Sequence, residues 1–495
     1  MEPPLFRKVL IANRGEIAVR IARTCRAMGI STVAVHSDVD RGALHTRVTD
    51  EAVEIRGYLD IDALLAAARR RGADAVHPGY GFLSQNGDFA EAVARAGLVF
   101  IGPPAEVHRR MGDKQGARRL MAAAGVPIVP GYDGDDQKDA TLAAEAARIG
   151  WPVMIKPSRG GGGKGIRIVR AAGDFRQALA GARREAKAAF GDDVVVLERF
   201  VDRPRHVEVQ VLADALGATV HLLERECSIQ RRHQKVVEET PSPALTAPAR
   251  EALCAAGVAA ARAAGYVNAG TVEFLMAPGG AFYFLEMNTR LQVEHTVSEC
   301  ILGLDLVRLQ IEVAAGRPLT IAQAGVAGRG HALECRLYAE DPWRDHAPSP
   351  GRILHLAAPE GPGIRFDAGI ATGSEVSTHY DPLLAKVVTW GRDRTESIQR
   401  MAEALTRTAI LGVTTNLALL RAIVAHPEFV AGALHTGFID DHLADLPRPA
   451  CPPARILSAA LLASRRRTGG AGGGAGKAVP DPWGQVGAWR LGAGH

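Results

Sequence analysis

The chain has 495 residues, 47% hydrophobic and 23% charged, enough apolar material for several cores and a composition that excludes disordered or fibrous classes. A net charge of +5 is too thinly spread to argue for nucleic acid, and no apolar run reaches the length of about 18 residues that a membrane-spanning helix needs. The six cysteines show neither CxxC spacing nor the density of a disulfide framework, and Met1–Pro4 does not open a secretory leader, so a cytoplasmic protein is expected.

The first segment alternates strand and helix signals. Lys8–Ala12 reads as a short strand, Asn13-Arg14-Gly15 as a turn, and the following residues as a helix through Met28. Thr32–Ser37 is a second strand, Asp60 caps a helix ending near Gly72, and Ala73–His77 is a third strand. This rhythm predicts a parallel, doubly wound sheet. No GxGxxG follows the first strand, so a dinucleotide site is not expected.

After Gly125, breakers at Pro127 and Pro130-Gly131 start a new segment. Strands at Pro152–Lys156, Gly165–Arg170 and Val194–Glu198, with a helix near Asp174–Phe190, predict a small mobile lobe around a glycine loop. That loop, Gly160–Gly165, lets backbone N–H groups approach phosphate oxygens, with Lys156 and Lys164 adding charge. It is not a Walker A loop, since Gly165 rather than Ser or Thr follows Lys164.

His206–Leu212 alternates as a strand with one wet face should. Thr219–Glu224, Thr271–Met276 and Phe282–Met287 are further strands, with an Ala-rich helix at about Pro248–Gly265 between them. Ala277-Pro278-Gly279-Gly280 turns the last two strands into a hairpin. Pairing residue 276 with 283 places Glu273 opposite Glu286, and Asn288 shares the face of Glu286, a set of hard oxygen ligands suited to Mg²⁺. If the next residues are extended, Arg290, Gln292 and Glu294 project together while Leu291 and Val293 point away. A cation, an amide and a carboxylate facing one space suit binding and deprotonation of a small anion, and the run Gln230–Lys235 is placed to add cations. Short strands and helices continue over about His331–Leu443. Beyond them a Pro cluster and the Gly/Ala stretch at Gly469–Gly476 read as linker, and the residues around Trp483 and Trp489 as the incomplete start of a further domain.

Taken in order, Ile11–Ala18, His77–Leu83, Gly112-Asp113-Lys114, the glycine loop, Arg205–Glu208, Arg231–Glu239 and Phe284–His295 resemble biotin carboxylase, and the resemblance runs from about residue 6 to residue 443. It implies mixed α/β and α+β architecture in four parts. These are an N-terminal Rossmann-like (pre-ATP-grasp) domain at 1–113, an ATP-grasp domain at 114–330 with a mobile lid at about 132–203, a C-terminal biotin carboxylase domain at 331–443, and the linker segment at 444–495.

The resemblance also implies site roles. Lys114, Lys156, Gly162, Gly163, Glu198, His206, Gln230 and His233 would contact ATP, with Glu198, Arg199, Phe200 and Val201 as the adenine hinge. Glu273, Glu286 and Asn288 would hold Mg²⁺ or Mn²⁺, the two glutamates also counting as part of the ATP site. Lys235, Arg290, Gln292 and Val293 would hold bicarbonate and Glu294 would be the general base. Arg336 would stabilise the biotin enolate, beside Tyr80. The implied reaction is ATP- and bicarbonate-dependent carboxylation of biotin on a carrier protein, the first half-reaction of an acyl-CoA carboxylase. Its implied partners are a biotin carrier, a carboxyltransferase and a second copy of the chain.

Three departures stand out: Thr296 replaces a usual proline after His295, Pro382-Leu383-Leu384 replaces Ser-Met-Ile, and Arg159 enters the glycine loop. No Ala-Met-Lys-Met sequence is present, so the chain is not expected to carry biotin itself. Two rivals are another ATP-grasp ligase, joining a carboxylate to an amine, and a catalytically silent subunit. The second predicts losses among Lys235, Glu273, Glu286, Arg290, Glu294 and Arg336, all of which are present.

Overall fold

The computed structural model describes residues 5–158 and 165–448. Residues 5–158 and 165–447 belong to one compact unit. The glycine-loop residues Gly162 and Gly163, and the linker reading of 449–495, lie outside the described residues.

The N-terminal segment is a five-stranded parallel sheet in the order β3-β2-β1-β4-β5, formed by β1 (Lys8–Ile11), β2 (Ser31–His36), β3 (Glu51–Glu54), β4 (Ala75–His77) and β5 (Val99–Phe100). β1 is buried almost throughout, as a parallel strand covered on both faces must be. Helix Gly15–Ala27 packs Ile17, Ile21 and Cys25 into a core that also takes Leu212, Val220 and Leu222 from the central sheet. Asp60 caps helix Ile61–Arg71 by accepting from the Ala63 N–H, as expected.

The segment expected to form a lid folds as a four-stranded antiparallel sheet, β6-β9-β7-β8, from β6 (Gly131–Tyr132), β7 (Val153–Pro157), β8 (Arg167–Val169) and β9 (Val195–Arg199). Helix Phe175–Phe190 covers it, burying Phe175, Leu179 and Ala182 in the lobe's own core.

An eight-stranded antiparallel sheet is the centre of the molecule. Its first six strands are β14 (Phe282–Asn288), β13 (Asn268–Met276), β10 (Arg205–Ala213), β11 (Thr219–Arg231), β12 (Gln234–Thr240) and β15 (His331–Tyr338), followed by Leu383–Gly391 and Ile364–Ala368. It is continuous across residue 330, where a domain boundary is expected from the sequence. Among the described residues, no helix is long and apolar enough to cross a membrane.

Four expectations are corrected. β10 has no wet face: it is an interior strand, and its polar residues Glu208 and Gln210 are buried because Arg225 of β11 pairs with both. β11 runs to Arg231 rather than stopping at Glu224, so the basic run is a tight hairpin, with Arg231 paired to Gln234 and Arg232 and His233 at its tip. Those two residues hold φ of 47° and 64°, the left-handed conformation that a two-residue hairpin turn demands and that Asn-Gly would adopt more cheaply. In the β13–β14 hairpin, Met276 pairs with Phe282, not residue 283. A bulge at Leu285 then restores Glu273 opposite Glu286. Finally, residues 289–294 are not an extended strand; the chain turns there and helix His295–Leu302 begins, with Glu294 at its N-cap position.

Candidate active site

One face of the central sheet carries a dense set of charges supplied by strands β10 to β15. Lys235 on β12 is the hub. Its Nζ lies 2.8 Å from Glu273 Oε1 and 2.6 Å from Glu294 Oε1, and it also pairs with Glu208. A buried ammonium would ordinarily lose its proton. Here desolvation is outweighed by the charges of Glu208, Glu273 and Glu294, so the Lys235 pKa is held well above its usual value. Burial pulls Glu294 towards neutrality, but Lys235 and Arg336 hold it ionised, below the usual carboxylate range. Arg336 reaches Glu294 Oε2 at 2.9 Å and pairs with Glu238 on β12.

Arg225 is one of the groups that sequence reading missed. Its side chain is fully buried, donating to Glu208 Oε1 at 2.6 Å, Gln210 Oε1 at 2.7 Å, and Thr271, Gln292 and Ser298 at 3.0 Å each. These contacts use Nε, Nη1 and Nη2 along the edges of its planar guanidinium fork and hold Glu208 beside Lys235. No local signal marks it, because its partners lie on other strands. Glu208, Glu238, Glu334 and Lys386 were missed for the same reason.

The hairpin groups are brought together as expected. Asn288 Nδ2 donates to Glu273 Oε1 at 2.9 Å and to Glu286 Oε1 at 3.3 Å, and Gln292 Nε2 donates to Glu273 Oε1 at 2.7 Å. Glu286 keeps an exposed surface, yet desolvation by its neighbours and the charge of Glu273 push its carboxyl up. Paired carboxylates in mutual repulsion, beside an amide that can turn its oxygen inward, fit a hard divalent cation. His206 lies 3.2 Å from Glu273 Oε2; burial lowers its pKa, but Glu273 overcomes this and raises it to about 9. Gln230 Nε2 is 3.0 Å from His206 Nδ1. Arg290 extends to Asn288 Oδ1 at 3.1 Å. The Val293 carbonyl accepts from Lys386 Nζ at 2.6 Å.

The groups expected to meet ATP are more dispersed. Lys156 on β7 pairs with Glu198 on β9, and Arg118 Nη1 reaches Glu198 Oε1 at 3.3 Å. Arg199 is exposed, with Phe200 and Val201 half-buried beyond it. Lys114 is exposed at the start of helix Lys114–Ala123, close enough to Glu286 to offset part of the rise in its carboxyl. His233 is exposed on the hairpin tip, away from the buried network.

Tyr80 is positioned from the N-terminal sheet. Asn13 Nδ2 donates to the carbonyls of Pro78 and Tyr80, both at 2.7 Å, and Gly79 turns between them with φ of +63°. A Cβ at residue 79 would lie 2.9 Å from Asn13 Nδ2, so glycine is required there. The Tyr80 hydroxyl donates to Glu16, which lies 3.3 Å from Lys386 Nζ.

Known proteins resemble this chain over most of its length. Residues 5–108 match the family described as biotin carboxylase, N-terminal domain, residues 113–322 the carbamoyl-phosphate synthase L chain, ATP binding domain, and residues 334–441 the biotin carboxylase C-terminal domain. The chain is 49% identical over 442 residues to a biotin carboxylase of Nostoc sp., covering 88% of this chain and 99% of that protein. It is 49% identical over 446 residues to the mitochondrial methylcrotonoyl-CoA carboxylase subunit alpha of Mus musculus, covering 89% of this chain but spanning only 62% of that relative. The biotin carboxylase domain dimer of Hydrogenobacter thermophilus 2-oxoglutarate carboxylase, solved with MgADP, ADP and bicarbonate, superposes with a TM-score of 0.85 at 42% identity, covering 90% of this chain and 99% of that one. A biotin carboxylase complex from Campylobacter jejuni gives 0.85 at 40% identity, covering 88% and 99%. With three family segments in order and a relative matched over nearly its whole length, the chain belongs to the biotin carboxylase family of ATP-dependent ligases.

Proposed function

We propose that this chain carboxylates biotin on a carrier protein, using ATP and bicarbonate, and that it supplies the first half-reaction of an acyl-CoA carboxylase. The observation that carries this reading is the chain of ion pairs Glu273–Lys235–Glu294–Arg336, which ties the expected metal residues to the expected base and the expected biotin clamp in one buried network. An ATP site alone would not need the last two.

In this reading Lys156, Lys114 and the glycine loop meet the phosphates of ATP, Glu198–Val201 its base, and His206, Gln230 and His233 complete the pocket. Glu273, Glu286 and Asn288 hold Mg²⁺, which when bound neutralises charge on the phosphates. Phosphoryl transfer needs positioning and charge compensation more than covalent help from the protein. Lys235, Arg290, Gln292 and the Val293 amide seat bicarbonate. Glu294 takes its proton as it attacks the γ-phosphate, forming carboxyphosphate and ADP. An ionised Glu294 at neutral pH is what that step requires, and Lys235 and Arg336 keep it so. Carboxyphosphate yields CO₂ and phosphate, the phosphate removes the biotin N1′ proton, Arg336 stabilises the resulting enolate with Tyr80 alongside, and N1′ attacks CO₂ to form carboxybiotin. The partners are a biotin carrier and a carboxyltransferase, with a second copy of the chain completing a dimer.

The test is ADP release with Mg-ATP and bicarbonate, with and without free biotin, for the wild type and for Arg290→Ala and Glu294→Ala. Biotin-stimulated, bicarbonate-dependent turnover that collapses in both variants supports the proposal. A folded protein that binds ATP but ignores biotin and bicarbonate overturns it and favours a carboxylate–amine ligase or a silent subunit.

A further inference from the structure

Glu238 of β12 and Glu334 of β15 are direct cross-strand partners, and both are completely buried. Residues so paired place their Cβ atoms roughly 4.5–5.5 Å apart, where like charges destabilise a sheet. Glu238 is held on one side by Arg336. Glu334 receives the hydroxyl of Thr296. The remaining oxygens, Glu238 Oε2 and Glu334 Oε1, are buried without a hydrogen-bond partner. Two ionised carboxylates with orphaned oxygens cannot sit in that position cheaply. A single proton on the pair removes the repulsion and supplies a donor.

We infer that Glu238 and Glu334 hold one proton between them and act as positioning residues for Arg336. The inference rests on the proposed role of Arg336 at the biotin enolate. With the pair singly charged, Arg336 shares its charge with one carboxylate of the pair and with Glu294. Loss of the proton to solvent adds a second carboxylate charge near the guanidinium and weakens the clamp. The groups around the pair are Cys227 from β11, Lys235 from β12, Cys335, Arg336 and Tyr338 from β15, Lys386 from strand Leu383–Gly391, Glu294, Thr296 and Cys300 at helix His295–Leu302, and Tyr80 from the N-terminal segment. Burial outweighs the cations among them: it pushes Glu238 up to about 7 and Glu334 up to about 8. The Thr296 hydroxyl is the group that makes this contact to Glu334.

The experiment joins infrared difference spectroscopy with a pH profile of kcat/KM for biotin, on the full chain. The wild type is expected to show a protonated-carboxyl band at pH 7 that is absent in Glu334→Gln. It is also expected to lose kcat/KM relative to Glu334→Gln by about tenfold per pH unit once the pair ionises. Thr296→Val removes a hydrogen bond that favours the ionised form, so band loss and activity loss both move to higher pH; this variant serves if Glu334→Gln does not fold. A band that survives in Glu334→Gln, or does not move in Thr296→Val, overturns the inference. The band reads the proton whether or not biotin is the substrate. A band that behaves as expected, with activity indifferent to biotin, would sink the functional proposal while leaving the shared proton in place.

Discussion

Lys235 Nζ and Glu294 Oε1 lie 2.6 Å apart, joining β12 to the first turn of helix His295–Leu302. The same ammonium also holds Glu208 and Glu273, so its removal leaves buried carboxylates without their counter-charge. Lys235→Met should therefore lose both fold stability, by about 3–5 kcal/mol, and nearly all bicarbonate-dependent turnover. Urea unfolding and ADP release measure the two losses. Stability within 1 kcal/mol or so of wild type would show that Arg225 alone compensates the cluster.

Arg225 makes the contrasting case. It touches no expected substrate position, yet it donates to Glu208, Gln210, Thr271, Gln292 and Ser298. Arg225→Lys keeps the charge but cannot reproduce the planar fork. It should raise KM for bicarbonate at least about tenfold, through Gln292, while leaving KM for ATP near wild type. Equal rises in both constants would point to general loosening of the sheet instead.

The Lys156–Glu198 pair spans β7 and β9 of the expected lid, where ATP is proposed to bind. Lys156→Gln should raise KM for ATP by about tenfold to a hundredfold, with KM for biotin unchanged. Initial-rate measurements with each substrate varied in turn decide this.

Much of this site was legible along the chain and some was not, for a geometrical reason. Glu273, Glu286 and Asn288 share one hairpin, so alternation and a turn signal bring them together even though the bulge at Leu285 could not be foreseen. The bulge matters physically: without it the observed turn pairing would place Leu285, not Glu286, opposite Glu273. The half-wet reading of β10 failed because alternating polarity usually signals solvent, whereas here the polar face meets Arg225. Arg225, Glu238 and Lys386 could not be singled out because each acts through strands that become neighbours only in the folded sheet.

Three buried histidines bear on acid stability. Burial lowers His45 and His108 to about 4 and His77 to about 3. His45 Nε2 sits 3.1 Å from the Val35 carbonyl, and His108 Nδ1 sits 2.7 Å from the Thr289 hydroxyl beside Arg290. The unfolded chain takes up these protons near pH 6.5, the folded chain only near pH 4 or below. Their contribution is thus fully present above pH 6.5 and is lost as pH falls towards 4, each site adding a slope of up to about 1.4 kcal/mol per pH unit. In His45→Gln, the fall in unfolding free energy between pH 6.5 and 4.5 should be shallower by one such slope. Parallel curves for the two proteins would show that His45 titrates alike folded and unfolded.

Gly79 links the backbone of the N-terminal domain to the proposed biotin face. Its φ of +63° and the 2.9 Å approach that a Cβ would make to Asn13 Nδ2 leave no relaxed place for a side chain. Asn13 holds the carbonyls on both sides of this residue, so a displaced amide moves Tyr80 directly. Gly79→Ala should cost about 1–3 kcal/mol of stability, the range for a strained backbone position. It should also raise KM for biotin while sparing bicarbonate-dependent ATP hydrolysis without biotin, because Lys235, Arg290 and Glu294 are carried by the central sheet and the turn that follows it. Equal loss of both activities would mean that Tyr80 orders the whole cleft, not the biotin face alone.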